Sequence, residues 1–243
     1  MKRLCACNII TVSRISAKNS SKGSNLMSRF ALVACFAFVV FVFLAGCAPP
    51  FSAMQSAKLA GRGKFEVTPL FSTVSFSAEG ETEHIQNEYG IQGAYGLVDR
   101  FDVQLRYEFI SFEYEDPYTG PLSASAHVIG IGPKIGLYRD MFAFCSPIGF
   151  AFGGDIEEVS ETWQIHPTLV ITLPIGNSFE LNPSSKVLIP LSGDGDILLA
   201  FNLGAGISAN LRKWAIRPEL GFLVDPGEEG HFTHFSIGIT IYP

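Results

Sequence analysis

Charge is scarce in this 243-residue sequence: only 16% of its residues are Asp, Glu, Lys or Arg, against about 25% in an ordinary soluble domain. Its 17 basic residues face 23 acidic ones, a net charge of −6, which excludes the basic patch that a nucleic-acid phosphate footprint requires. Zinc-ligand spacing, a Gly-rich phosphate loop and a dinucleotide fingerprint are all missing, so no cofactor or metal is implied. Five cysteines are too few and too scattered for a disulfide framework, and Cys5-Ala6-Cys7 reads as chance rather than as a metal site. Long apolar runs are also missing, apart from Phe30 to Leu44 (FALVACFAFVVFVFL). Disorder is excluded, because a chain that is 47% hydrophobic with 21 Phe buries ample apolar surface. Most of that hydrophobicity must therefore be distributed in a form that a helix scan does not see.

The apolar run is fifteen residues without a charge and follows Arg29. That is short of the ~20 residues of a membrane-spanning helix and fits the h-region of a secretory signal, about 7–15 residues. Residues 1–26 are polar and carry five of the basic residues, an unusually long n-region, and Met27-Ser28-Arg29 would make a normal signal start. The run ends Leu44-Ala45-Gly46-Cys47, small residues before a cysteine that resemble the lipobox of bacterial lipoproteins. The resemblance implies cleavage before Cys47 and lipidation of that cysteine. Residues 1–46 are then a signal peptide, 47–63 a lipidated tether and 64–243 the working domain. Cys5, Cys7 and Cys35 leave with the signal, and Cys47 and Cys145 remain with no disulfide to form. Six of the 17 basic residues leave too, so 11 face all 23 acids from Cys47 onward, a net charge of −12.

After Gly63 the hydrophobic period is two. Phe101, Val103, Leu105, Tyr107 and Phe109 share one face of an extended chain, and Asp102, Gln104, Arg106 and Glu108 share the other. Similar alternation predicts strands near 64–77, 84–97, 101–112, 123–137, 141–152, 161–173, 179–190, 197–209, 214–224 and 232–241. Their connections alternate as well. Short turns at 98–100, 138–140, 176–177 and 210–213 are separated by longer polar loops at 78–83, 113–122, 153–160, 191–196 and 225–231. Those loops with Glu161 hold 15 of the 23 acids and no Lys or Arg, whereas Arg100, Arg139, Arg212 and Lys213 mark the short-turn end.

Alternation alone leaves open which face looks outward. A lipid-tethered, lipocalin-like binding barrel in the periplasm would turn the apolar face inward; a membrane barrel turns it to lipid. Two features favour the membrane. The non-apolar face is rich in glycine (Gly90, Gly96, Gly130, Gly132, Gly136, Gly204, Gly206, Gly221, Gly238), which suits a crowded interior better than a solvated surface. Aromatics recur near strand ends, at Tyr95, Phe101, Phe109, Phe112, Trp163, Phe179 and Trp214, like interfacial girdles. The chain thus resembles the small Gram-negative outer-membrane β-barrels. The resemblance implies an all-β fold: an antiparallel up-and-down transmembrane barrel of about ten strands, with eight to twelve as the range. The ending Ile241-Tyr242-Pro243 departs from the terminal Phe or Trp common in that class. In this reading the tether and the short turns share the periplasmic end, and the lipid on Cys47 sits in the periplasmic leaflet. The partners implied are outer-membrane lipid and the barrel-insertion and lipoprotein-sorting machineries, with a small solute in the lumen or divalent cations at the acidic loops.

Pro69, Pro133, Pro147, Pro167, Pro183 and Pro218 fall inside predicted strands, which calls for bulges near the periplasmic rim or for shorter strands. The inward face receives a mixed charge network of Glu66, Glu88, Asp102, Arg106, Glu108, Lys134, Glu180, Lys186, Arg217 and Glu219. About eight strands leave an interior just filled by side chains, so ten leave a narrow, charged lumen, structural or passing small solutes and ions. An enzyme is the remaining alternative: His234-Phe235-Ser236, near Glu228 and Glu229, resembles the His-x-Ser of outer-membrane lipid A deacylases.

Overall fold

The computed structural model describes residues 51–116, 120–154, 162–192, 196–227 and 229–242. The proposed lipidation site, Cys47, lies outside them. Thirteen strands follow in order: β1 Phe65–Ala78, β2 Glu81–Val98, β3 Phe101–Asp116, β4 Gly120–Tyr138, β5 Phe142–Cys145, β6 Ile148–Gly154, β7 Trp163–Ile165, β8 Thr168–Ile171, β9 Leu173–Ile175, β10 Phe179–Pro190, β11 Leu198–Ile207, β12 Trp214–Val224 and β13 His231–Ile241. All named pairings are antiparallel, and β1 pairs with β13 as well as with β2, so the sheet closes on itself.

The thirteen strands make ten staves. Both β5 and β6 pair with β4: Lys134 faces Cys145 and Ile131 faces Ile148, three residues apart on each side. No residue is inserted between them, so β5 and β6 are one stave interrupted at Ser146-Pro147. By the same test β7, β8 and β9 are one stave against β10, with Ile189 facing Ile165, Ser184 facing Val170 and Phe179 facing Ile175.

The prolines therefore do not sit at bulges. Each removes one ladder N–H while its carbonyl keeps the ladder going. Pro133 O accepts from Ser146 N at 3.1 Å, Pro147 O from His166 N at 2.9 Å and Pro167 O from Val187 N at 3.0 Å. The bulges fall elsewhere, at Val74/Ser75, Gly96/Val98, Ala126/His127 and Gly136/Tyr138. A second expectation also changes. The segment 78–83 is no long loop but a tight hairpin, with Glu79 and Gly80 at φ of 53° and 86°, the two positive values of a right-twisted two-residue turn. The strands pair on to Ala78 and Glu81. Likewise β3 and β4 pair as far as Asp116 and Gly120, so 113–116 and 120–122 belong to the sheet.

The apolar faces point out of the barrel. Leu203 is 56% exposed, Leu220 60% and Ile131 57%, whereas Glu88, Asp102, Glu108, Lys134 and Glu180 inside are fully buried. Rings line part of the outer surface from stave to stave, Phe71, Tyr89, Phe109, His127, Phe152, Phe150 and Trp163, with successive centroids 4.5–6.5 Å apart. Phe112 departs from the expected girdle: it faces inward and packs on Ile110, Ala126, Val128 and Ala151.

Candidate functional site: a plugged lumen

The staves enclose a lumen, and the chain's own N-terminal segment occupies it. Phe51, Ser52, Ala53, Met54, Ser56 and Ala57 are each no more than 2% exposed. The stretch expected as a tether thus has its described part, 51–63, packed against the barrel wall. It does not trail free at the short-turn end. It runs lengthwise. Phe51 packs with Val74, Leu188, Ala200 and Leu223, against Ile85, Leu198 and Phe232, all near the long-loop ends of their strands. Gly63 N donates to Gly96 O at 2.8 Å and Gly96 N to Lys64 O at 2.9 Å, at the β2–β3 short turn.

Carboxylates hold this segment by its backbone. Glu219 accepts from Ala53 N at 2.7 Å and from Met54 N at 2.9 Å. Asp102 accepts from Ala60 N at 2.8 Å, and Thr172 Oγ1 from Ala57 N at 2.7 Å. Cations take the carbonyls: Arg106 Nη1 donates to Ser52 O at 2.6 Å and Lys186 Nζ to the same oxygen at 2.9 Å. Lys58, from the segment, forms an ion pair with Glu180. An extended chain has no internal partners for its N–H and C=O groups, so inside a barrel the wall must supply them. Bonds to ionised partners are the strong ones.

The sequence-derived charge set is brought together in the lumen, but the ten members do not simply pair with each other. Contacts that join members include Arg106–Glu108 at 2.6 Å, Arg217–Glu180 at 3.1 Å and Lys134–Glu66 at 3.7 Å. Arg217 also donates to Thr240 and to the Tyr242 hydroxyl, and Glu88 accepts from Gln86 at 2.7 Å. Glu219, Asp102 and Lys186 spend their hydrogen bonds on the segment. The set holds six carboxylates and four cations. The surplus is met by Lys58 and by backbone N–H donors, which sequence reasoning passed over. That imbalance was the signal, together with a stretch of small residues and no acid (SAMQSAKLAGRG).

Several inward glycines have the same explanation. A Cβ on Gly96 would lie 2.0 Å from Gly61 O, and one on Gly238 would lie 2.7 Å from Met54 Cε. The glycine-rich face leaves room for a chain threaded past it. Among the described residues, a cavity of about 40 Å³ lies between Gln55, Gln104, Arg106, His166 and Lys186, enough for a few waters.

His234 and Ser236 do meet, Nδ1 to Oγ at 2.9 Å, with His234 Nε2 at 3.0 Å from Asn202 Oδ1 and Ser236 donating to Ser72 at 2.7 Å. Both are buried under Phe51, whose ring centroid is 6.4 Å from the His234 ring. The third group is an amide, and Glu229 is exposed on the loop while Glu228 lies outside the described residues. The pair faces the lumen rather than lipid.

The acidic loops are only partly described. No group of three or more His, Cys, Asp or Glu able to hold a metal occurs among the described residues; Asp155, Glu157, Glu158, Glu161 and Asp194 lie outside them. Cys145 is a free, buried thiol.

No family model matches the chain, and no curated protein matches it. Solved structures similar in fold include bacterial barrels. An outer membrane channel from Pseudomonas putida F1 aligns at 10% identity and a TM-score of 0.44, over 81% of this chain and all of the other. The translocator domain of the autotransporter NalP from Neisseria meningitidis aligns at 8% identity and 0.39, over 88% and 96%. Ail, the attachment invasion locus protein of Yersinia pestis, aligns at 7% identity and 0.35, over 75% and 99%. At these identities the likeness concerns the fold.

Proposed function

We propose that this chain is an outer-membrane β-barrel sealed by its own N-terminal segment, a structural and surface-presenting protein rather than an open pore. The carrying observation is the grip of Glu219 on the Ala53 and Met54 amides, in a lumen where the same segment closes against Gly96, Gly136 and Gly238. The membrane setting rests on the outer surface. Phe101 and Phe109 stand eight residues apart on β3, about 27 Å along a strand and about 20 Å along the axis at a tilt of about 40°, close to the ~25 Å apolar band of such barrels. A water-soluble binding barrel would present its polar face outward and keep a hollow interior. A signal peptide ending at the Cys47 lipobox accords with the envelope.

Planar-bilayer recording with the purified full chain tests the seal. The intact protein should show no steady conductance, and a variant lacking residues 51–60 should show a step of channel size. Steady conductance from the intact chain, unchanged by the deletion, would return the lumen to the role of a narrow pore.

A further inference from the structure

The direction of the segment sets where the N-terminus leaves the barrel. Phe51 sits at the level of Val74 and Leu223, and Gly63 at the level of Gly96. Along β1 the levels of Phe65 and Val74 are nine residues apart, about 30 Å along the strand and about 23 Å along the axis at a tilt of about 40°. Only four residue steps separate Phe51 from Cys47, and four steps span at most about 14 Å. Cys47 cannot return to the short-turn end, and the lumen it would have to pass is already filled. The expected arrangement, with the lipid and the short turns at one end, is therefore excluded for a chain threaded this way.

Phe51 sits in a cluster with residues of β10, β11, β12 and β13, and with Val74 of β1 and Ile85 of β2. The first four strands, of 10–12 residues, are shorter than the 18-residue β2 and 19-residue β4 and make the low part of the rim. On that rim Leu191 and Ile197 are 54% and 51% exposed, near Leu188 and Leu198, which belong to or pack against the cluster that holds Phe51. We infer that the mature N-terminus passes out over this low apolar rim, and that the acyl chains on Cys47 insert into the outer leaflet at the long-loop face: a lipoprotein anchored at the cell surface through its own barrel. The inference rests on the membrane-barrel reading and on the lipobox. It adds an order of assembly, because a lipid-bearing end reaches that face only when the wall closes around the segment.

Three variants of the full chain, each adding one cysteine, test this: Pro49→Cys near the N-terminus, Asp99→Cys in a short turn and Pro226→Cys in a long loop. Intact cells are treated with a membrane-impermeant maleimide. Cys145 is buried and stays silent. The expected result is Pro49→Cys labelled as strongly as Pro226→Cys, and at least tenfold above Asp99→Cys until the outer membrane is permeabilised. If Pro49→Cys follows Asp99→Cys, or labels under neither condition, the exit at the loop face is wrong while the barrel reading stands. If Asp99→Cys and Pro226→Cys label alike in intact cells, the membrane reading fails and takes the inference with it. Intact mass of the mature chain reads the lipid: a diacylglyceryl-cysteine at Cys47 supports the anchor, and an unmodified terminus overturns it.

Discussion

The two ends of the lumen hold the same segment by different physics. Toward the long loops the grip on the side chain is apolar, Phe51 lying among Val74, Leu188, Ala200 and Leu223, while Arg106 and Lys186 take the adjacent carbonyls. Toward the short turns it is polar: Glu219, Thr172, Glu180 and Asp102 take the backbone amides and Lys58 in turn. Apolar burial is non-directional and excludes water, whereas the carboxylate contacts fix register, since each acceptor meets one particular amide. One end is the stopper and the other sets the position.

Truncating the stopper should cost most. Phe51→Ala empties a fully enclosed ring site, at about 3–5 kcal/mol for a buried Phe, and should lower the temperature at which the barrel loses its compact mobility on a detergent gel. Weakening the positioning end should cost less. Glu219→Gln keeps one carbonyl acceptor and orphans one of the two amides, about 1–3 kcal/mol; hydrogen exchange at Ala53 and Met54 should quicken while the β1–β13 seam keeps its protection. Overpacking follows: Gly238→Ala pushes a methyl to within 2.7 Å of Met54 Cε, a flexible end that can give, and 2.9 Å of the Pro69 carbonyl oxygen, a backbone atom that cannot, at about 1–3 kcal/mol. Lys58→Ala should do least. Lys58 is 25% exposed and Glu180 keeps Arg217 as a partner, so the loss should be under about 1 kcal/mol. The combination of Phe51→Ala with Glu219→Gln sharpens the comparison. If both grips act on one rigid segment, the double variant loses less than the two singles added, since the second contact is already loosened. Strict additivity would mean that the two ends hold independently.

Much of the wall was legible. Period-two alternation places Trp163, Leu169 and Leu173 on the outward face with a proline beside them, and the stave carries through Pro167 as the pattern required. The loops were less so. A polar run such as 78–83 reads as loop, yet its backbone pairs to the tip because ladder bonds do not depend on side-chain polarity. Within the lumen, alternation identified Glu219 and Asp102 as inward, but not what they bind. Nor did it show that Phe112, read as a girdle residue, packs inside with Ile110.

The sequence by itself determined an all-β chain of ten alternating segments, the parity that sends Glu88 and Lys134 one way and Leu220 the other, and a surplus of inward carboxylates. Those properties are local, carried by residue spacing and composition. Only the tertiary structure decided that residues 51–63 thread the barrel and in which direction. Ala53 meets Glu219 across 166 positions of sequence and Ala60 meets Asp102 across 42, and such contacts exist only once the staves close. A stretch without periodicity carries no record of what will surround it. Many of its contacts are made through groups that every peptide owns, backbone N–H and C=O, and only its small residues and lack of acid hinted at a place among carboxylates.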